Sequence, residues 1–353
     1  MQKTVKIIVF FISFIIISLL FSSKSVYADA SSYIVIETST NRILDGNNID
    51  KKSYMASTTK ILTAITAIEN KNVEDTVIIP KKACGIEGSS IYLEENEKLS
   101  LKQLLYGLML RSGNDSAVAI ALSVSNTIND FANLMNITAK KIGAYNSNFV
   151  NPHGLHDDNH YTTAKDLALI SSYAIKNPIF KEIVSTKSIK IPWTTRNTTR
   201  LLINKNKLLS KLDGATGIKT GFTKKAGRCL VTSCYRNGME VVSVVLNCPD
   251  MWDFSEKIIN TSFNNYSMYK LVEADNVIDF INVNGENEKC GLYIKNDIVL
   301  PLTKEEFDNV KIVYNHIESI SKPFEKDKNV GSVDIYIKNK LLFSEKMFTI
   351  IKK

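Results

Sequence analysis

Three short clusters in this 353-residue chain combine residue types able to do nucleophilic chemistry. The first is Ser57-Thr58-Thr59-Lys60. At a helix start positions i and i+3 share a face, so the Ser57 hydroxyl and the Lys60 amine become neighbours. A serine is a weak nucleophile until a base takes its proton, and a lysine with a pKa lowered by burial and the helix dipole can be that base. The structural alternative is a Ser helix cap followed by an exposed Lys. The second cluster, Ser112-Gly113-Asn114, taken alone reads as an interhelix turn, where Gly and Asn belong anyway. The third is Lys219-Thr220-Gly221. Gly221 lets a ligand backbone approach a strand edge, while the Lys219 charge and the Thr220 hydroxyl can grip an anionic group. Its alternative is an edge-strand lysine that guards against aggregation.

The elements that must position these clusters follow from hydrophobic periodicity. Tyr33 to Ile36 and Arg42 to Leu44 read as two strands joined by a Thr38-Ser39-Thr40-Asn41 turn. From Ser57, the residues Ile61, Leu62, Ile65 and Ile68 recur at helical spacing, and Asn70-Lys71-Asn72 stops the helix. A second helix follows Ser100, a third starts at Asp115, and helical patterns continue over Phe131 to Ile142 and Thr163 to Ile175. Cys229 to Ser233 and Val241 to Leu246 then flank Asn237-Gly238, a strong hairpin signal. Strand, helical middle, then strand predicts an α/β (α+β) layer whose first and last strands meet in one antiparallel sheet. After Tyr266 short strand-like runs predominate (Val277 to Val283, Gly291 to Ile294, Val310 to Tyr314, Val333 to Ile337, Leu341 to Phe343), which predicts a small β-rich second domain.

Composition narrows the function classes. At 44% hydrophobic and 23% charged, the chain is neither disordered nor collagen-like and can bury a sizeable core. Lys3 and Lys6, the apolar run Ile7 to Phe21 and small residues around Ala28 fit a secretory signal over residues 1–28. The run is short for a bilayer span, which needs roughly 20 residues, so cleavage is expected over retention as an anchor. Three lysines leave with that segment, and the formal charge of +8 falls to 41 basic against 36 acidic residues. So modest an excess in an exported chain argues against nucleic acid and for an anionic cell envelope.

Cys84, Cys229, Cys234, Cys248 and Cys290 are odd in number and widely spaced, so neither a zinc knuckle nor a complete disulfide framework is indicated. Buried structural thiols are the favoured reading for Cys229, Cys234 and Cys248. His153, His156 and His160 with Asp157 and Asp158 superficially resemble metal ligands. They fall in a Pro/Gly/Asn loop without the H-E-x-x-H spacing, so no metal is expected there.

Together, S-x-x-K, S-x-N and K-T-G in this order form the set found in penicillin-binding proteins and class A β-lactamases. The flanks extend the match: Met55 to Ala64, Leu110 to Ala117, Asn151-Pro152-His153-Gly154-Leu155, His160 to Ala168, and Gly217 to Thr223 with Ala226-Gly227. From about Ala30 to Asp250 the chain resembles the D-alanyl-D-alanine carboxypeptidases, the low-molecular-mass penicillin-binding proteins of the peptidase S11 group. The resemblance implies a penicillin-binding-protein/β-lactamase-like antiparallel sheet with a helical subdomain. It divides the chain into a signal (1–28), a catalytic domain (29–265) and a β-rich domain (266–353).

It further implies that Ser57 attacks the carbonyl between the terminal D-alanines of a peptidoglycan stem peptide, without any cofactor. Lys60 would be the general base, Ser112 a proton relay to the leaving amine, and Asn114 a positioning group. Lys219 and Thr220 would hold the terminal carboxylate beside Gly221, and the backbone N–H groups of Ser57 and Phe222 would form the oxyanion hole. β-Lactams would acylate Ser57 as mimics of the same dipeptide. The implied location is outside the cytoplasm, at the wall or the outer face of the cytoplasmic membrane.

A class A β-lactamase would need a deacylating Glu between the second and third motifs. Glu182 is the sole glutamate from Asp115 to Ile218, and Ile183-Val184-Ser185-Thr186 after it does not match. A D-alanyl-D-alanine endopeptidase shares all three motifs; a catalytically silent wall-binding protein would not need them. Many relatives end in an amphipathic helix on the membrane, whereas Leu341 to Lys353 is equally well a last strand. Peripheral membrane association is left open.

Overall fold

A computed structural model describes residues 30–350, and the expected signal segment 1–28 lies outside the described residues. The chain opens with β1 (Ser32–Glu37) and β2 (Ile43–Asn47) and enters helix α1 (Lys60–Asn70). A small pair, β3 (Thr76–Ile78) and β4 (Lys98–Ser100), precedes α2 (Leu101–Leu110), α3 (Asn114–Val124), α4 (Ile128–Ile142), α5 (Ala164–Ile175) and α6 (Pro178–Ser185). The hairpin β5 (Ser188–Trp193) and β6 (Thr198–Ile203) and the single turn α7 (Leu208–Lys211) lead back to strands. These are β7 (Ala215–Thr223), β8 (Gly227–Arg236) and β9 (Met239–Leu246), followed by α8 (Met251–Asn265).

The first and last strands meet as expected, in a five-stranded antiparallel sheet ordered β2-β1-β9-β8-β7. Asn237 and Gly238 both take positive φ in the β8–β9 turn, matching the right-handed twist of the flanking strands. Both faces of the sheet are covered. Ile34 and Ile36 of β1 point into a core shared with Ile61, Leu62 and Ile65 of α1. Val35, between them, joins Val245 and the Phe254 and Ile259 side chains of α8 on the other face. That alternation with a period of two makes three layers, with the helical subdomain on one side and α8 on the other.

Local chemistry fixes the helix starts that matter for the site. Ser100 and Gln103 form a reciprocal capping box at α2, and the Thr163 hydroxyl accepts from Asp166 N–H at α5. Among the described residues no helix is long and apolar enough to cross a membrane.

Beyond α8 the chain becomes β-rich, as expected. It contains β10 (Ser267–Val272), β11 (Asp279–Val283), β12 (Lys289–Tyr293), β13 (Ile298–Leu302), the short α9 (Lys304–Asp308), β14 (Val310–His316), β15 (Ser319–Ile320), β16 (Asn329–Ile337) and β17 (Lys340–Ile350). Six strands form one sheet ordered β14-β16-β17-β12-β11-β15, and β10 pairs with β13. Their apolar faces enclose Ile281, Leu292, Leu300, Val333, Ile335 and Met347. The terminal segment is therefore a strand through Ile350. Arg42, just before β2, reaches across to the Glu306 carboxylate and the Pro301 carbonyl. Tyr266 adds a hydrogen bond from its hydroxyl to the Leu44 carbonyl at 3.2 Å.

Candidate active site

Ser57 lies in a 3₁₀ turn, Ala56–Thr59, that runs into α1 at Lys60. With three residues per turn, positions i and i+3 eclipse, so the tighter helix aligns Ser57 with Lys60. Lys60 Nζ lies 3.0 Å from Ser57 Oγ. It also donates to Asn114 Oδ1 at 2.7 Å and to the His153 carbonyl at 2.5 Å. Burial of the side chain, and then the charges of Lys219 and Lys205, hold the Lys60 amine well below the usual lysine range. A neutral amine has two hydrogens and one lone pair. Asn114 and His153 accept the two hydrogens, so the lone pair is left for the Ser57 hydroxyl, which is the state a general base needs.

The second cluster sits where α2 gives way to α3, at the mouth of the same cleft. Ser112 is buried and takes a positive φ of 64°, a conformation an L-residue holds only when its surroundings enforce it. Asn114 Nδ2 donates to the Glu87 carbonyl, which fixes the amide so that Oδ1 faces Lys60. The next residue, Asp115, is buried, and its carboxylate accepts from Ser90 Oγ and from the N–H groups of Ile91 and Leu93. These bonds clamp the preceding loop as one wall of the cleft.

Strand β7 supplies the opposite wall. A Cβ on Gly221 would lie 3.0 Å from the Met55 carbonyl and 3.1 Å from the Ser57 nitrogen, so the strand passes directly against the turn that carries Ser57. That closeness brings the backbone of Phe222 beside Ser57, while the Phe222 side chain points outward at 64% exposure. Lys219 is buried rather than an exposed edge lysine. Desolvation, then the Lys205 charge, pulls its pKa down to about 7. Ser57, Ser112, Thr220, Gly221 and Phe222 line one cavity of about 460 Å³.

Residues 21–250 match the D-alanyl-D-alanine carboxypeptidase family, peptidase S11, and residues 266–350 match the penicillin-binding protein 5 C-terminal domain. The chain belongs to the D-alanyl-D-alanine carboxypeptidase family. It is 28% identical to the D-alanyl-D-alanine carboxypeptidase DacF of Bacillus subtilis over 86% of this chain and 81% of that one. It is 30% identical to DacA of Haemophilus influenzae over 86% of this chain and 80% of that one. The crystal structure of penicillin binding protein 5 from Haemophilus influenzae superposes with a TM-score of 0.81 at 28% identity, covering 92% of this chain and 97% of that one.

Several site residues of this carboxypeptidase carry no sequence motif. Lys205 lines the cavity, donates to Ser89 Oγ at 3.0 Å, and is the third lysine amine near Lys60 and Lys219. Arg228, directly across from Phe222 in the β7–β8 register, and Trp252 of α8 complete the rim. The histidine loop serves hydrogen bonding. His153 Nδ1 accepts from Leu155 N–H, and burial followed by the Lys60 charge holds its pKa at about 3. Both ring nitrogens of His160 are occupied by protein partners. Among the described residues no three His, Cys, Asp or Glu side chains gather as metal ligands would. Glu182 stands apart from the cleft, bonded to Lys102 and to the Tyr106 hydroxyl between α2 and α6. All five cysteines are free thiols, and burial raises Cys229 to about 12.

Proposed function

We propose that Ser57 Oγ is the nucleophile of this serine-type D-alanyl-D-alanine carboxypeptidase and that Lys60 is its base. The observation that carries the reading is the three-way environment of Lys60 Nζ, with Asn114 Oδ1 and the His153 carbonyl as acceptors and Ser57 Oγ at 3.0 Å. Lys60 takes the Ser57 proton as the oxygen attacks the carbonyl between the two terminal D-alanines of a peptidoglycan stem peptide. The resulting oxyanion is held by the N–H groups of Ser57 and Phe222, each worth roughly 3 kcal/mol in comparable acyl transfers. Ser112 relays the proton held by Lys60 to the leaving amine, D-alanine departs, and Lys60, neutral again, activates the water that hydrolyses the ester and restores the Ser57 hydroxyl.

Lys219 and Thr220 hold the terminal carboxylate, which distinguishes a carboxypeptidase from an endopeptidase, and Lys205 adds positive potential to the same pocket. Asn114 orients both Lys60 and the substrate amide. β-Lactams, which present a strained amide and a carboxylate in the same arrangement, acylate Ser57 and leave slowly. We assign residues 29–265 to catalysis and 266–353 to a β-rich domain behind an export signal at 1–28. The enzyme then works outside the cytoplasm, at the wall or peripherally at the outer face of the cytoplasmic membrane.

The test pairs the mature protein with Ser57→Ala on a peptide ending in D-Ala-D-Ala and on a fluorescent penicillin. Free D-alanine and a stable covalent label are expected from the first protein only. Release of D-alanine by Ser57→Ala would remove Ser57 from the mechanism, and rapid penicillin turnover by the unmutated protein would make it a β-lactamase.

A further inference from the structure

The peptide unit that carries the Ser57 N–H is itself held by a buried relay. Ala56, directly before the nucleophile, takes a positive φ of 49° although it is not glycine. Its carbonyl accepts from Thr59 Oγ1 at 2.8 Å, and Thr59 Oγ1 is 2.8 Å from His160 Nε2. The direction of the relay is decided at its far end. Val150 N–H donates to His160 Nδ1 at 3.1 Å, so Nδ1 carries no hydrogen and Nε2 must. Nε2–H therefore donates to Thr59 Oγ1, and the Thr59 hydroxyl hydrogen goes on to the Ala56 oxygen. Burial holds the His160 pKa at about 4, which keeps the ring neutral and the relay one-directional at neutral pH. The ring is further fixed edge-on against Phe149, at 5.7 Å between centroids.

The same carbonyl is shaped from outside by Gly154, where a Cβ would overlap the Ala56 oxygen and come within 2.9 Å of Thr59 Oγ1. A planar trans peptide points its N–H opposite to its C=O. Anchoring the Ala56 oxygen thus sets the direction of the Ser57 N–H, and drawing electron density toward that oxygen makes the N–H a stronger donor.

From this arrangement we infer that His160 and Thr59 are positioning residues that aim and polarise the Ser57 N–H of the oxyanion hole. The inference rests on the reading of Ser57 as the acylated nucleophile. It also gives the loop from Asn148 to Thr162 two separate tasks. The His153 carbonyl fixes the base, and His160 acts through Thr59 on the backbone of the nucleophile.

Benzylpenicillin is the probe, with the acylation rate constant and the infrared stretch of the ester carbonyl on Ser57 as readouts. Thr59→Val is expected to slow acylation about tenfold, a fraction of the 10²–10³ lost when an oxyanion donor is removed outright. The ester carbonyl of that variant should absorb at higher wavenumber, because its oxygen is held more weakly. Thr59→Ser, which keeps the hydroxyl, should recover most of both effects, and His160→Gln should fall between them; it carries the comparison should Thr59→Val fold poorly. Unchanged rate and wavenumber in a folded Thr59→Val, or in His160→Gln, overturn the relay alone. An unmodified protein that takes no label at all overturns both the relay and the Ser57 reading.

Discussion

The two halves of the molecule bury different things. Up to α8 the interior takes in Lys60, Lys219, Asn114, Asp115, His160, Glu97 and Arg200. From Tyr266 onward, among the described residues, Thr349 is the sole buried polar side chain. The positive-φ residues Ala56 and Ser112 flank the chemistry in the first half, whereas Asp327, Lys338 and Asn339 in the second sit in ordinary turns. Burying a polar group costs free energy unless it is fully bonded, and burying an amine costs more. Those costs fall in the part of the molecule that holds the Ser57–Lys60 cleft, where the proposed chemistry calls for a neutral base and fixed dipoles. The β-rich half carries little of this cost, since its one buried polar group, the Thr349 hydroxyl, is bonded to Lys328 N–H and the Glu325 carbonyl, and its core is the apolar packing of Leu292, Leu300, Val333 and Met347.

The sharpest separation of the halves should come from Leu292→Ala, in a core position of β12. The lost packing and the cavity together cost about 2–5 kcal/mol. Calorimetry should show the unfolding of the β-rich half shifted down while kcat/KM for D-alanine release stays within about twofold. A matching loss of catalysis would mean that the halves are energetically one unit.

Acid should act in the opposite way, on the catalytic half. His153 and His160 have depressed folded pKa values of about 3 and about 4. Below their ordinary pKa of about 6.5 the unfolded chain takes up protons that the folded chain refuses, so stability is lost as pH falls from there. The His160 share is roughly 3 kcal/mol by pH 4. Urea midpoints followed from pH 7 to pH 4 should fall, and His160→Gln should flatten the slope. A slope identical in the two proteins would mean that His160 is protonated in the folded state.

The smallest expected effect is Lys219→Met. With a folded pKa of about 7, Lys219 is harder to charge in the fold than in the unfolded chain, so the wild type gains stability as pH rises from about 7 toward 10.5. Replacing the buried amine by an apolar chain should remove that rise and lift Tm near pH 7. Affinity for the substrate carboxylate should fall in the same variant. A lower Tm would show that the Lys219 charge is compensated in the fold.

The layered fold and the stretches that meet at the cleft could be read from the sequence for a common reason. A period of two or 3.6 in apolar residues, and three short motifs of fixed spacing, are local signals. Ser57, Lys60, Ser112, Asn114 and Lys219 to Phe222 each belong to such a stretch, and the fold brings them to one cleft. Lys205 had no such signal, because it is one lysine of Asn204-Lys205-Asn206-Lys207 and acquires its place only when β6 packs beside α2. The hairpin of β5 and β6 shows only short signals, Ile189, Ile191 and Trp193 in alternation and Leu201-Leu202-Ile203; Glu97, buried against Arg200 at 2.7 Å, ties it to the β3–β4 segment. Helix α8 was within reach, since Met251, Phe254, Ile258 and Ile259 recur at helical spacing. The relay from His160 was not, because Thr59 and His160 are 101 residues apart and meet only in the folded chain.

The central claim is that one hydroxyl, on Ser57, is activated by a neutral lysine in a polar-lined interior. Its most direct test is peptide mapping by mass spectrometry after a brief exposure of the mature protein to benzylpenicillin at neutral pH. The account predicts a single penicilloyl adduct on the peptide containing Ser57, absent in Lys60→Met at the same exposure. An adduct on Ser112 or any other residue, or undiminished labelling of Ser57 in Lys60→Met, would contradict it.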